Sequence, residues 1–206
     1  MLYYKTIDTK TLELLKELQK VTIFKNLRLV GGTALALQIG HRKSIDIDLF
    51  GVLDADVYEL SETISQFSSV ILLNKTKNIN IYSIDGVKVD IVNYHYPWIE
   101  KPLIYDTIVM AHPKDIIAMK LAAITGRGSK KDFIDLYFLL QSYSLDEMLN
   151  LYSQKYYDGS IFLVLKSLSY FDDADKDEIP SMLKIINWEK VKSFIINQLD
   201  IYHKKN

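Results

Sequence analysis

Asp46 and Asp48 sit in Ile45-Asp-Ile-Asp-Leu-Phe50, a run in which acids and aliphatic residues alternate. Residues two apart in a strand share a face. The two carboxylates therefore leave one side about 7 Å apart, while Ile45, Ile47 and Leu49 point the other way, into a core. Neighbouring carboxylates on a buried strand repel each other and resist desolvation. A divalent cation removes both penalties, and magnesium takes such hard oxygen ligands together with substrate phosphates. A third acid, Asp90, leaves an otherwise apolar alternating run, facing away from Val89 and Ile91. If that strand lies beside residues 45–50, Asp46, Asp48 and Asp90 converge. Two magnesium ions about 4 Å apart would then suit an in-line phosphoryl displacement. Asp-x-Asp alone is equally compatible with the polar face of a half-exposed strand.

Gly31-Gly32 narrows the choice. The pair falls between a short apolar strand and a helix, so backbone N–H groups and a helix N-terminus can face an anionic phosphate, with the Thr33 hydroxyl beside them. Thirteen residues separate the glycines from Asp46. Glycines, acid pair and later lone acid together are much less expected by chance than any one of them, and read as a site for a phosphate and a metal.

A second group of charges lies in the helical half. Lys120 is the sole polar residue in Ile116–Ile124, and Arg127, seven residues on, shares its helix face. Two cations on one stripe could hold a triphosphate, Arg127 by its bidentate fork and Lys120 as a point charge. Asp132 and Asp135 follow. The plainer alternatives are a capping box between Ser129 and Asp132 and a buried ion pair between Lys120 and Asp135.

The elements that must position these residues follow from periodicity. A helix is expected over 9–25, then strand 27–30, a helix from about 33, strand 45–50, and a helix near 54–68. Runs 79–84 and 87–92, joined by Asp85-Gly86, form a hairpin. From His112-Pro113 the pattern is helical, with a capping box at Ser144/Glu147, a polar break over 172–180 and a last helix near 188–199. The fold class is α+β: an N-terminal lobe with a mixed sheet over 1–108, then a helical lobe over 109–206.

The chain has 206 residues, a formal net charge of −1 and no cysteine. The charge argues against bulk electrostatic adhesion to nucleic acid while leaving room for a local basic groove, and the lack of cysteine excludes disulfides and thiolate metal sites. Four histidines lack ligand spacing, which disfavours zinc. Asp173-x-Asp175-x-Asp177 is no EF-hand, since Glu178 and Lys184 occupy the positions needing glycine and bidentate glutamate; it reads as a solvated connection. Of the fourteen tyrosines, Tyr94 and Tyr96 could offer base-stacking surfaces, while most of the others read as ordinary core or surface aromatics. No signal-peptide pattern or membrane-spanning run is evident, so a cytoplasmic protein is expected. Of 25 basic residues only three are arginine, and two of these, Arg42 and Arg127, fall in the segments singled out for chemistry.

The stretch Gly-Gly-Thr-Ala-Leu-Ala-Leu…His-Arg-Lys-Ser-Ile-Asp-Ile-Asp-Leu-Phe (31–50) resembles the AbiEii/AbiGii family of nucleotidyltransferase-like toxins, within the DNA polymerase β nucleotidyltransferase superfamily. Lys-Leu-Ala-Ala-Ile…Arg…Lys-Lys-Asp-Phe-Ile-Asp-Leu-Tyr (120–137) is similar to its second block, with Lys131 where arginine is more usual. The resemblance covers roughly 28–200. It implies a nucleotidyltransferase fold, an NTP substrate, magnesium on Asp46, Asp48 and Asp90, and catalysis that also involves Lys120. It further implies nucleotide binding by Gly31, Gly32, Thr33, Arg42, Ser44, Lys120, Arg127 and Asp132. The implied role is that of an abortive-infection, toxin–antitoxin type toxin with a cognate antitoxin, modifying RNA, tRNA ends or protein. A small-molecule nucleotidyltransferase of the antibiotic-modifying kind and a non-catalytic nucleotide-binding module are the alternatives.

Overall fold

The computed structural model describes residues 1–205. The chain divides into two compact units, Met1–His95 with Pro102–Ala111, and Tyr96–Lys101 with the chain from His112 onward. A division at 108/109 would cut a strand, Ile108–Met110.

The first unit is a mixed sheet with three helices. Its strands are β1 Leu27–Leu29, β2 Ile47–Gly51, β3 Val70–Lys75, β4 Ile79–Ile84, β5 Val87–Asn93, β6 Leu103–Tyr105 and β7 Ile108–Met110. They lie in the order β3-β4-β5-β2-β1-β7-β6. β2 runs antiparallel to β1 and parallel to β5. Alternation puts Leu29, Ile47, Leu49, Val89 and Ile91 into the core, each with no exposed surface. The β4–β5 hairpin turns at Asp85 and Gly86 with φ of +53° and +80°. Two successive positive φ values define the type I′ turn that matches strand twist, as the Asp-Gly pair predicts.

The helices of this unit are α1 Thr9–Lys20, α2 Gly31–Ile39 and α3 Val57–Ser65. Asp8 caps α1 by accepting from the Thr11 backbone N–H, and Leu14, Leu15 and Leu18 form its buried stripe. The helix ends at Lys20 instead of continuing to 25. The β-branched run Val21-Thr22-Ile23 is costly in a helix, and a 3-10 turn over Thr22–Phe24 replaces it.

The second unit contains α4 Pro113–Gly126, α5 Lys130–Leu139, α6 Leu145–Lys155, α7 Ile161–Leu168, α8 Asp172–Lys176 and α9 Trp188–Lys205. Ser144 and Glu147 form the expected reciprocal capping box of α6. The acidic stretch is more than a solvated connection. Asp175 accepts from Trp188 Nε1 at 2.6 Å and Lys192 Nζ at 3.0 Å, and Asp177 accepts from the Lys130 backbone at 2.9 Å. Segment 96–101 is held by a buried pair that the sequence did not announce. Lys155 Nζ donates to Asp115 Oδ1 and to the Pro97 carbonyl, both at 2.8 Å, and lies 4.4 Å from the Trp98 ring centre. The Asp115 carboxylate in turn accepts from the Ile99 and Glu100 backbone. Among the described residues, no helix is long and apolar enough to cross a membrane.

Candidate active site

The parallel pairing of β2 with β5 sets Asp48 opposite Asp90. Neighbouring strands lie about 4.8 Å apart, so these two carboxylates rise side by side from the same face. Asp46 lies two residues before Asp48 but outside the strand, which begins at Ile47. Ile45 is 66% exposed and so does not enter the core as the alternation predicts. The reason is local. Residues 43–46 form an irregular segment pinned by the Ser44 N–H donating to the Thr6 carbonyl at 2.8 Å, and β2 starts only after it.

Gly31 opens α2 with φ of +67°, a conformation that side-chain-bearing residues rarely adopt. A Cβ there would collide with Asp48 Oδ2. The bare backbone at the helix start therefore lies against a carboxylate oxygen, and the Val30 N–H donates to the Asp48 carbonyl at 2.9 Å, fixing the approach. A Cβ on Gly32 would strike the Arg42 guanidinium and approach Ser44 Oγ at 3.3 Å. Arg42 is almost fully buried, and its Nη1 donates to the Lys43 carbonyl at 3.0 Å. Gly31 is required by its positive φ, while a side chain on Gly32 would have to displace the Arg42 guanidinium.

Thr33 is 1% exposed. Its hydroxyl donates to the Asp46 carbonyl at 2.5 Å and lies 2.9 Å from Ser44 Oγ. One hydroxyl carries one proton, so Ser44 is the donor in the second contact. Thr33 and Ser44 therefore shape the segment that carries Asp46.

The donor set suits a hard divalent cation. Asp48 and Asp90 emerge side by side on β2 and β5, Asp46 lies two residues before Asp48, and Asp90 Oδ1 is buried without an aligned hydrogen bond. The three are not drawn into a ready-made cluster, because no group of three ligating side chains stands in metal-holding geometry among the described residues. One cation on this face was not anticipated. Lys88 Nζ lies 2.7 Å from Asp90 Oδ1 and 2.8 Å from Oδ2, with only the latter aligned as a hydrogen bond. Its position two residues before Asp90 in an alternating strand was the available signal.

In the second unit the cations meet carboxylates. Lys120 Nζ lies 2.9 Å from Asp132 Oδ1 and 2.5 Å from Asp135 Oδ2, all three side chains being nearly or fully enclosed. The buried ion pair weighed as the plainer alternative for Lys120 and Asp135 is thus present, and it includes Asp132. Arg127 Nε and Nη2 donate to the same Asp132 carboxylate at 2.9 and 3.2 Å, while the Arg127 side chain is 62% exposed. Ser129 Oγ donates to Asp132 Oδ2 at 2.6 Å, so its hydroxyl does not cap α5. Burial alone would raise the Asp132 pKa. Lys120, Arg127 and Ser129 together overcome that and hold it well below the usual carboxylate range. Tyr94, weighed as a stacking surface, is buried against Phe50 with ring centres 5.4 Å apart.

A mixed sheet with a glycine-started helix beside paired strand aspartates is the arrangement expected of a nucleotidyltransferase fold. Residues 13–200 match the family described as nucleotidyl transferase AbiEii toxin, type IV toxin–antitoxin system. The chain belongs to that family of nucleotidyltransferase toxins. An uncharacterized protein of Aquifex aeolicus (strain VF5) is 36% identical over 196 residues, covering 92% of this chain and 94% of its own. Two solved structures share the fold at low identity. JHP933 from Helicobacter pylori has a TM-score of 0.56 at 18% identity, covering 97% of this chain and 94% of that one. MenT4, the nucleotidyltransferase toxin Rv2826c of Mycobacterium tuberculosis H37Rv, has a TM-score of 0.55 at 14% identity, covering 90% and 79%.

Proposed function

We propose that the chain transfers a nucleoside monophosphate from a nucleoside triphosphate to an acceptor hydroxyl on RNA, a tRNA end or a protein. It does so as a magnesium-dependent, cytoplasmic toxin of an abortive-infection toxin–antitoxin system with a cognate antitoxin. The observation that carries the reading is the β2–β5 register, which sets Asp48 beside Asp90 next to the bare backbone of Gly31. Magnesium, two ions by this reading, would supply charge neutralisation at the transferring and leaving phosphates when held by Asp46, Asp48 and Asp90.

The residues themselves have separate tasks. The N-terminus of α2 at Gly31 and Gly32 presents N–H groups to the triphosphate. Asp90 accepts the proton of the acceptor hydroxyl as its oxygen bonds to the α-phosphorus, the bond to the β-phosphate breaks, and pyrophosphate leaves. Arg42, Thr33 and Ser44 keep the Asp46 segment and the glycine backbone in place. Arg127, the exposed cation of its cluster, is assigned to nucleotide phosphates, with Asp132 orienting its fork. Lys120 supports Asp132 by the same contact and contributes to catalysis through it.

The test is incubation of the purified chain with magnesium, each α-labelled NTP and total RNA or cell extract, beside D46A/D48A. Label moving into RNA or protein with the wild-type chain, and not with the variant, is the expected result. Label in a small molecule would point to the antibiotic-modifying alternative. No transfer with any NTP from folded protein would sink the proposal.

A further inference from the structure

The chemistry proposed above uses Asp90 and leaves the cation beside it without a task. Lys88 and Asp90 alternate onto one face of β5. Ile47 pairs with Val89 and Asp48 with Asp90, so Lys88 lies one residue before the stretch of β5 that pairs with β2. The Lys88 ammonium stands within 2.8 Å of both oxygens of Asp90, the acid that pairs with Asp48 across the strands. The contact differs in kind from the Lys155–Asp115 pair, in which both side chains are fully enclosed. Lys88 is 43% exposed and Asp90 17%, so the ammonium can return to water on its flexible stem. A half-exposed pair of this sort is weak and reversible, whereas a buried one is expensive to break. The Asp90 oxygen that lacks an aligned hydrogen bond is also buried, so the lysine satisfies that carboxylate only in part.

We propose that Lys88 is a built-in counter-ion that holds Asp90 until a divalent cation arrives, and that loading the cation displaces the ammonium from the carboxylate. The inference rests on the reading that Asp46, Asp48 and Asp90 hold the metal. Its physical basis is charge. Without a metal, Asp48 and Asp90 on adjacent strands repel one another, and Lys88 relieves that repulsion. An ammonium and a divalent ion cannot both occupy one carboxylate, so each weakens the other. Lys88 is thus a positioning residue. It keeps the third ligand from swinging away in the empty site, and it makes metal affinity depend on a competition.

The experiment is Mn²⁺ binding to the full chain by titration calorimetry or by paramagnetic resonance of the free ion. The proteins compared are wild type, K88M, K88R, D90N and K88M/D90N. K88M is expected to bind Mn²⁺ about tenfold more tightly, K88R to stay close to wild type, and the gain to vanish in the D90N background. Without metal, K88M should melt below wild type, with the gap closing at saturating Mn²⁺. Equal affinity of wild type and K88M, or the same gain with and without Asp90, overturns the counter-ion role and leaves the metal site standing. No Mn²⁺ binding by either wild type or K88M removes the metal site and the inference with it. Because Lys88 is half-exposed, K88M should fold; if it does not, K88Q carries the same comparison.

Discussion

At the residue scale, the site depends on atoms that are missing as much as on charges that are present. Gly31 is held at φ of +67° with Asp48 Oδ2 where its Cβ would be. Alanine there must both strain the backbone and push the carboxylate away. Gly31→Ala is therefore expected to destabilise the chain by about 1–3 kcal/mol and to abolish label transfer while leaving a folded protein. Thermal unfolding and the transfer assay check the two halves of that expectation. Asp48 and Asp90 were legible because a period of two puts acids on a strand face and only the register was left to observe, whereas Asp46 lies before the strand, where that period does not hold. Lys88 obeys the same period, yet a lysine on a strand has many ordinary explanations. Only distances single it out. Thr33 was legible as a site residue but not as one engaged inward, because sequence does not say which way a hydroxyl turns.

At the element scale, the strands that sequence reading finds are those with alternation and a strong turn. The β4–β5 hairpin has both. β6 and β7 are three residues each around Asp106, whose φ is +54°, and three residues hold no period to detect. β3 hides for another reason. Val70-Ile-Leu-Leu73 has no alternation, and as an edge strand it leaves Ile71, Leu72 and Leu73 more than half exposed. An exposed apolar edge invites pairing with other chains. Leu73→Lys is therefore expected to lower concentration-dependent association in light scattering, with stability changed by no more than about 0.5 kcal/mol. Transfer activity should be retained, since β3 and β2 are separated by β4 and β5. A large loss of stability would show that Leu73 packs more than its exposure suggests.

At the scale of the whole molecule, the second unit is held by buried charge. Lys155 and Asp115 tie segment 96–101 to α4 and α6, and truncating one partner leaves the other charged and enclosed. Lys155→Ala is expected to destabilise the chain by about 3–5 kcal/mol, measured by urea unfolding. The Lys120–Asp132–Asp135 cluster gives the pH counterpart. Asp132 has its folded-state pKa pulled well below the ordinary value of 3.8. The unfolded chain then binds the proton more readily, so stability rises with pH across that interval. The contribution is complete above 3.8 and is lost as pH falls from there toward the folded value. Asp8, Glu147 and Asp175 have lowered values as well, from hydrogen bonds with Thr11, Ser144 and Trp188 respectively, and add to the same acid limb. Urea midpoints of the wild-type chain should therefore be nearly flat from neutral pH to about 5 and then fall steeply below about 4. Asp132→Asn is expected to start lower at neutral pH, since Lys120 and Arg127 lose a charged partner, and to fall less steeply in acid. Parallel acid limbs in the two proteins would mean that Asp132 is not the group whose protonation opens this unit.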